Sequence, residues 1–215
     1  MMNRRQVLKN LGLGATALVA TPTVLSLLQS CTNEPEFIPN FLTKGEGHAL
    51  RRIVDLIIPS DETVPGAVDV GVHQFIDNFW NEVIPEEGKA QVRMGFKGLA
   101  EEFQKTFSKE LEAGKPEEFD QLLAKYLAIG KEEQKGYDER FGEFYQAFVK
   151  DPNTALPSDL ACNQLFGQLR GMSIWAWKNS EEIGENVLAY EPIPGQQVGC
   201  LPVEDATGGK AYSLG

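Results

Sequence analysis

The sequence predicts an all-α fold, a single helical domain of about six helices followed by an extended Pro/Gly-rich C-terminal tail. From about residue 43 to 175, apolar residues recur at intervals of three and four, the period of a helix with one buried face. Sustained apolar/polar alternation, which would mark half-buried strands, is not found. Prolines and small polar clusters interrupt the pattern at helix-sized intervals. Internal repeats and low-complexity tracts are absent.

Taken in order, Thr43-Lys44-Gly45-Glu46 has the form of a capping box. Ala49, Leu50, Ile53, Val54, Ile57 and Ile58 then line one face, and Pro59 stops the helix. The stretch Ser60 to Gly66 is a turn-rich loop, and Asp69 is placed to cap a second helix with the stripe Val72, Phe75, Ile76, Phe79, Trp80 and Val83. A third helix is expected from about Glu87 to Glu112, through Val92, Phe96, Leu99, Phe103, Phe107 and Leu111. A fourth, Glu117 to Ile129, presents Phe119, Leu122, Leu123, Tyr126 and Leu127. A fifth, Glu132 to Lys150, presents Tyr137, Phe141, Phe144, Tyr145 and Phe148. After the Asp151-Pro152-Asn153 break, Ser158-Asp159 is expected to cap a sixth helix with Leu165, Leu169, Met172 and Trp175. Residues 191–215 hold three prolines and five glycines, so they cannot continue a helix and should run extended. The helical domain is therefore bounded at 43–190.

Upstream, the composition changes. The first 30 residues contain Arg4, Arg5 and Lys9 and no acidic residue, which leaves 17 basic against 31 acidic residues in the remainder. A body this acidic argues against nucleic acid as a partner, since phosphate binding needs clustered Lys and Arg. Asn3-Arg4-Arg5-Gln6-Val7-Leu8-Lys9 resembles the twin-arginine export signal, with Asn3 in place of the usual Ser or Thr and Val7 where Phe is common. The apolar run Leu11 to Leu28 that follows contains Gly12, Gly14 and Pro22, a weak membrane span but a suitable signal core. Leu28-Gln29-Ser30-Cys31 resembles a lipoprotein box. Cleavage there would expose Cys31 as a lipid-bearing N-terminus, and two acyl chains anchor firmly where one does not. The head is thus 1–30, with a linker at 31–42, and the expected location is the periplasmic side of the cell envelope.

Two cysteines remain, Cys162 and Cys200. In an exported protein they either form a disulfide, stabilising by about 2–4 kcal/mol, or stay as free thiols; the sequence leaves both open. His48 and His73 lack metal-ligand spacing to any second His or Cys, and each fits a partly exposed or core-edge imidazole. Asp61 and Asp69 fit turn and cap positions, and Asp55 and Asp77 a solvated face. Phosphate-binding, dinucleotide and nucleophile-elbow motifs are not found. No catalytic, cofactor or metal residue is therefore assigned. Trp175 and Trp177 stand about 200° apart round a helix, so one of them should be exposed or at an interface.

The run Arg52 to Val72, with Ile57-Ile58-Pro59, Pro65-Gly66-Ala67 and Gly71-Val72, leads into Phe75-Ile76-Asp77 and resembles the gluconate 2-dehydrogenase subunit 3 family. Asn179-Ser180-Glu181, Val187 to Tyr190, Pro194-Gly195, Leu201-Pro202 and Tyr212-Ser213-Leu214 resemble its terminal segment. With the twin-arginine head the likeness spans nearly the whole chain; residues 86–155 contribute least. The resemblance implies a small, non-catalytic subunit of a membrane-associated sugar or sugar-acid dehydrogenase. Its partner would be a large FAD-dependent subunit of the glucose–methanol–choline type, usually beside a c-type cytochrome. FAD is expected in the partner, with no cofactor in this chain, and a lipid anchor would hold the complex to the membrane. Contact with the partner is expected at Pro59, Asp61, Pro65, Gly66, Asp69 and Gly71, at Trp175 and Trp177, at Ser180, Glu181 and Tyr190, and along the tail. The competing expectation is a self-sufficient helical envelope lipoprotein that binds a small ligand or carbohydrate. A third, a metal-dependent enzyme built on the aspartates and the two histidines, predicts loss of function when His48 and His73 are replaced by Ala.

Overall fold

A computed structural model describes residues 37–193, 195 and 199–213. Arg4, Arg5 and Cys31 lie outside the described residues. Six long helices follow in order: α1 (Lys44–Ile57), α2 (Val72–Glu82), α3 (Glu86–Phe107), α4 (Pro116–Leu127), α5 (Lys131–Lys150) and α6 (Ser158–Lys178). A 3₁₀ turn, Leu111–Ala113, joins α3 to α4, a π-helical turn, Glu182–Val187, follows α6, and a short α7 (Val203–Thr207) sits in the tail. The fold is all-α. Among the described residues the only β pairing is an isolated bridge between Ala189 and Tyr212.

Helix α6 is the hub, in contact with α1 to α5. Leu160, Ala161, Leu165, Phe166 and Leu169 are all buried in it, which is why its sequence is apolar on more than one side. Its closest neighbour is α3, whose Gly95 and Gly98 back onto Leu165 and Ala161. Around that pair close Leu50 and Ile53 from α1, Ile76 and Trp80 from α2, Phe96 and Phe103 from α3, and Phe119 and Tyr126 from α4, all essentially inaccessible. Burial of each such side chain stabilises by about 1.5–3 kcal/mol. In α5, by contrast, only Phe144 is buried.

Local chemistry sets the helix ends, and several differ from expectation. The capping box of α1 is present: Glu46 N–H donates to Thr43 Oγ1 at 3.3 Å, and Thr43 N–H to Glu46 Oε2 at 2.9 Å. Asp69 does not cap α2. Gly71 occupies the N-cap at φ 73°, a left-handed conformation that favours glycine, and Asp69 is engaged inside the preceding loop. Ser108 at φ 57° ends α3 at Phe107, short of the expected Glu112, although Leu111 is still buried by the 3₁₀ turn. The N-cap of α6 is Pro157, and Ser158 is already helical; its hydroxyl is spent on Glu102 instead. The tail is not wholly extended, because Val203–Thr207 forms a helical turn.

Two carboxylates, Asp77 and Glu102, are buried. Asp77, expected on a solvated face, is 1 % exposed. Its carboxylate accepts from three consecutive backbone amides, Asn40 at 2.6 Å, Phe41 at 3.2 Å and Leu42 at 3.0 Å. Phe37 stands edge-on to His73 at 4.8 Å and Phe41 edge-on to Trp80 at 6.2 Å. Residues 37–42 are thereby fixed to the helical body, although sequence placed them in the linker. Asp77→Ala leaves those amides without an acceptor and should cost about 2–4 kcal/mol. A drop in Tm, with faster hydrogen exchange at residues 40–42 than elsewhere, is the expected result.

The second is Glu102, 1 % exposed. It accepts from Ser158 Oγ at 2.8 Å, Tyr126 Oη at 2.9 Å, Lys125 Nζ at 3.1 Å and Lys105 Nζ at 3.3 Å, and so ties α3 to α4 and α6. Burial alone would raise its pKa, but the hydrogen bonds from Ser158, Lys125, Tyr126 and Lys105 outweigh it and hold the carboxyl at about 2.

Candidate functional site

The loop between α1 and α2 is built by its own aspartates. Asp61 Oδ1 accepts from Thr63 N at 2.7 Å, Thr63 Oγ1 at 2.8 Å and Val64 N at 2.8 Å. The backbone N–H of Thr63, then its hydroxyl, hold the carboxyl of Asp61 below the usual range. Asp69 accepts from the Ser60 hydroxyl and, at 2.9 Å, from Gly66 N, and the Ser60 hydroxyl likewise depresses its pKa. Gly66 turns so tightly against this pair that a Cβ there would sit 2.5 Å from Ser60 N and 2.8 Å from Ile58 O. Asp61, Gly66 and Asp69 thus give the loop its shape.

Trp177 locks that loop onto α6. Its indole Nε1–H donates to Pro65 O at 2.9 Å, and the residue packs against the core. Ser180 Oγ donates to Trp177 O at 2.8 Å. The π turn then seats Ile183 in the core at 0 % exposure and leads to Ala189, which exchanges backbone hydrogen bonds with the tail: Ala189 N to Ala211 O and Ser213 N to Ala189 O, both 2.9 Å. Residues 211–213 are thereby joined to the body. Between the loop and the π turn lies a polar groove of about 630 Å³, lined by Asp69, Gly71, Gln74, Ser180, Glu181 and Asn186 among others. The two segments singled out from sequence, 112 residues apart at Pro65 and Trp177, form one surface.

Of the two tryptophans, Trp175 is the exposed one, at 48 %. It does not stand alone. Phe75, 42 % exposed, lies 5.4 Å from it ring to ring, and Phe79 lies 6.1 Å away. Both phenylalanines are expected on the core stripe of α2; Phe79 does pack against the core, whereas Phe75 does not. The fully buried side of α2 is set by Val72, His73, Ile76, Asp77 and Trp80. Phe75 lies about 60° round the helix from Val72, on the side away from His73. The sign was available: six apolar residues in this short segment make a stripe wider than one core face needs. A cluster of partly exposed aromatic rings beside a polar rim has the make-up of an interface centre. Tyr190 is also exposed, at 45 %, while Pro59, Asp61 and Glu181 lie on the surface.

The remaining candidate groups are structural. His48 Nε2 pairs with Gly114 O at 2.9 Å. Burial, and then the charge of Arg51, lower the pKa of His73 to about 4, so it stays neutral. Among the described residues no three His, Cys, Asp or Glu side chains are grouped to hold a metal ion, and no helix is long and apolar enough to cross a membrane. Both thiols are free in this structure, Cys162 within the core and Cys200 on the exposed tail. Burial pushes the Cys162 thiol far up, which suppresses the thiolate that disulfide exchange requires.

A family model described as gluconate 2-dehydrogenase subunit 3 matches residues 44–195, a span running from the start of α1 through the loop, α6 and the π turn. No curated protein and no solved structure matches the chain.

Proposed function

The chain belongs to the gluconate 2-dehydrogenase subunit 3 family, and on that premise we propose that it is the small accessory subunit of an FAD-dependent sugar or sugar-acid dehydrogenase of the glucose–methanol–choline type. It escorts that subunit through twin-arginine export, stabilises it, and tethers it on the periplasmic side of the envelope through a lipid on Cys31. Electrons leave the flavin partner, where a c-type cytochrome accompanies it, without passing through a cofactor in this chain. The observation that carries the reading is the family match across 44–195. Two features support it. The Phe75, Phe79 and Trp175 cluster leaves apolar rings in water beside the groove of the 59–71 loop and the π turn. The tail presents Ile193 at 85 % and Val203 at 65 % exposure, apolar surface suited to burial against a large partner.

The test is a pull-down from native membranes solubilised in mild detergent, through a C-terminal tag, with a visible spectrum of the eluate. A flavin band with a large co-eluting dehydrogenase is expected. Phe75→Ala with Trp175→Ala should weaken that association by about 2 kcal/mol or more, roughly 30-fold in Kd. Circular dichroism and Tm should hardly change, since both rings are already half in water. A colourless single protein would favour the self-sufficient lipoprotein.

A further inference from the structure

The aromatic face of α5 has no full partner inside the protein. Phe141, Phe144 and Phe148 follow one another along it at ring spacings of 5.9 and 5.7 Å, a ladder about 10 Å long at the helical rise. This face walls a cavity of about 520 Å³. Met94 of α3, Leu156 of the connecting segment and Leu165 of α6 complete the apolar lining. The volume lies within the range of small-molecule sites, which are mostly apolar with a few placed polar groups. Here those groups are the amides of Gln91 on α3 and of Gln164 and Gln168, one turn apart on α6, with the phenol of Tyr145 on α5.

Charge narrows the occupant. Among the described residues no lysine, arginine or histidine lines the cavity, and its one ionisable acid is Glu87. An anionic ligand such as a fatty-acid carboxylate or a phosphate ester would meet no counter-charge and a neighbouring carboxylate, and its desolvation would go uncompensated. The ring ladder favours a flat molecule that stacks, and each glutamine amide offers two N–H donors and an acceptor oxygen. We propose that the cavity between α3, α5 and α6 is a binding site for a neutral, flat, apolar small molecule bearing one or two hydrogen-bonding oxygen or nitrogen atoms. The site is separate from the aromatic face assigned to the dehydrogenase and does not depend on it.

The probe is N-phenyl-1-naphthylamine, a neutral aromatic amine whose fluorescence rises in apolar surroundings, titrated into the full chain in detergent below its own partition threshold. One site per chain with micromolar affinity is expected, with displacement by 1-naphthol and none by laurate at equal concentration. Ala90→Phe, at the exposed mouth of the cavity, should weaken binding at least tenfold without lowering Tm. Gln164→Leu with Gln168→Leu should weaken 1-naphthol more than it weakens a hydrocarbon of the same size. Absence of saturable binding overturns the proposal, as does equal displacement by laurate. An Ala90→Phe chain that is fully folded and binds normally overturns it too. Fluorescence that follows self-association in analytical ultracentrifugation assigns the face to a second copy instead.

Discussion

With lysine in place of both Arg4 and Arg5, the chain should remain on the cytoplasmic side, and the flavin subunit should remain with it. The substitution keeps both positive charges and removes only the guanidinium fork, so it separates two kinds of export signal. A signal read by n-region charge alone, followed by an apolar core, would tolerate it. A receptor that engages the arginine pair through planar, multidentate hydrogen bonds would not, since an ammonium cannot reproduce that geometry. The measurement is fractionation with detection of both subunits, and dye-linked sugar oxidation assayed in intact cells. Joint retention of the two polypeptides, with envelope activity reduced to background, is the expected outcome. Continued export of the double variant would sink the twin-arginine assignment. Retention of this chain alone, with the flavoprotein still exported, would sink the escort role and leave the signal intact. Cys31→Ala isolates the third element of the proposal: export should persist while the complex moves from the membrane pellet to the soluble fraction, because the proposed acyl anchor would be gone.

How far the sequence could be read depended on which interactions are local. Helix periodicity is local, and all six long helices are legible, with ends set by Thr43, Pro59 and Asp151 falling where those residues dictate. Ends set by tertiary contacts were not legible. Ser158 looked like a cap because capping hydroxyls sit at helix starts, yet it lies one residue inside α6 and turns to Glu102, 56 positions earlier. Asp77 reads as solvated because an aspartate on a helix ordinarily faces water, whereas its partners are the amides of residues 40–42. The candidate face shows the same division. That the 59–71 loop and the 180–190 segment matter was readable from residue types. That Trp177 joins them through Pro65, while Trp175 turns outward to Phe75, required the fold, since a separation of about 200° says only that the two tryptophans differ. The unfilled side of α5 was invisible for a similar reason: a helix with five aromatic residues reads as core, and only packing shows that one of them is buried.

Glu102→Ala should be among the most damaging single substitutions in the helical body, at about 3 kcal/mol. The argument rests on which partners would be stranded. Lys105 and Lys125 have side chains 76 % and 52 % exposed, so water takes them back at little cost. The Tyr126 hydroxyl is buried and the Ser158 hydroxyl partly so, and both would lose their acceptor while a void opens between α3, α4 and α6. A buried pair that stranded both charges would cost more; one that stranded none would cost almost nothing. Glu102→Gln keeps the volume and one acceptor oxygen and should fall between wild type and Glu102→Ala. The pH dependence follows from the depressed pKa. Its contribution is fully present above about 4.5, the ordinary value, and is lost as pH falls toward the folded value of about 2. Because the unfolded chain binds the proton more readily, stability declines over that window, by about 3 kcal/mol for a shift of this size. Chemical denaturation of the wild-type chain between pH 5 and pH 2.5 should therefore show a slope that Glu102→Gln removes in part. Parallel slopes in the two proteins would mean that other carboxylates, and not this network, govern acid unfolding.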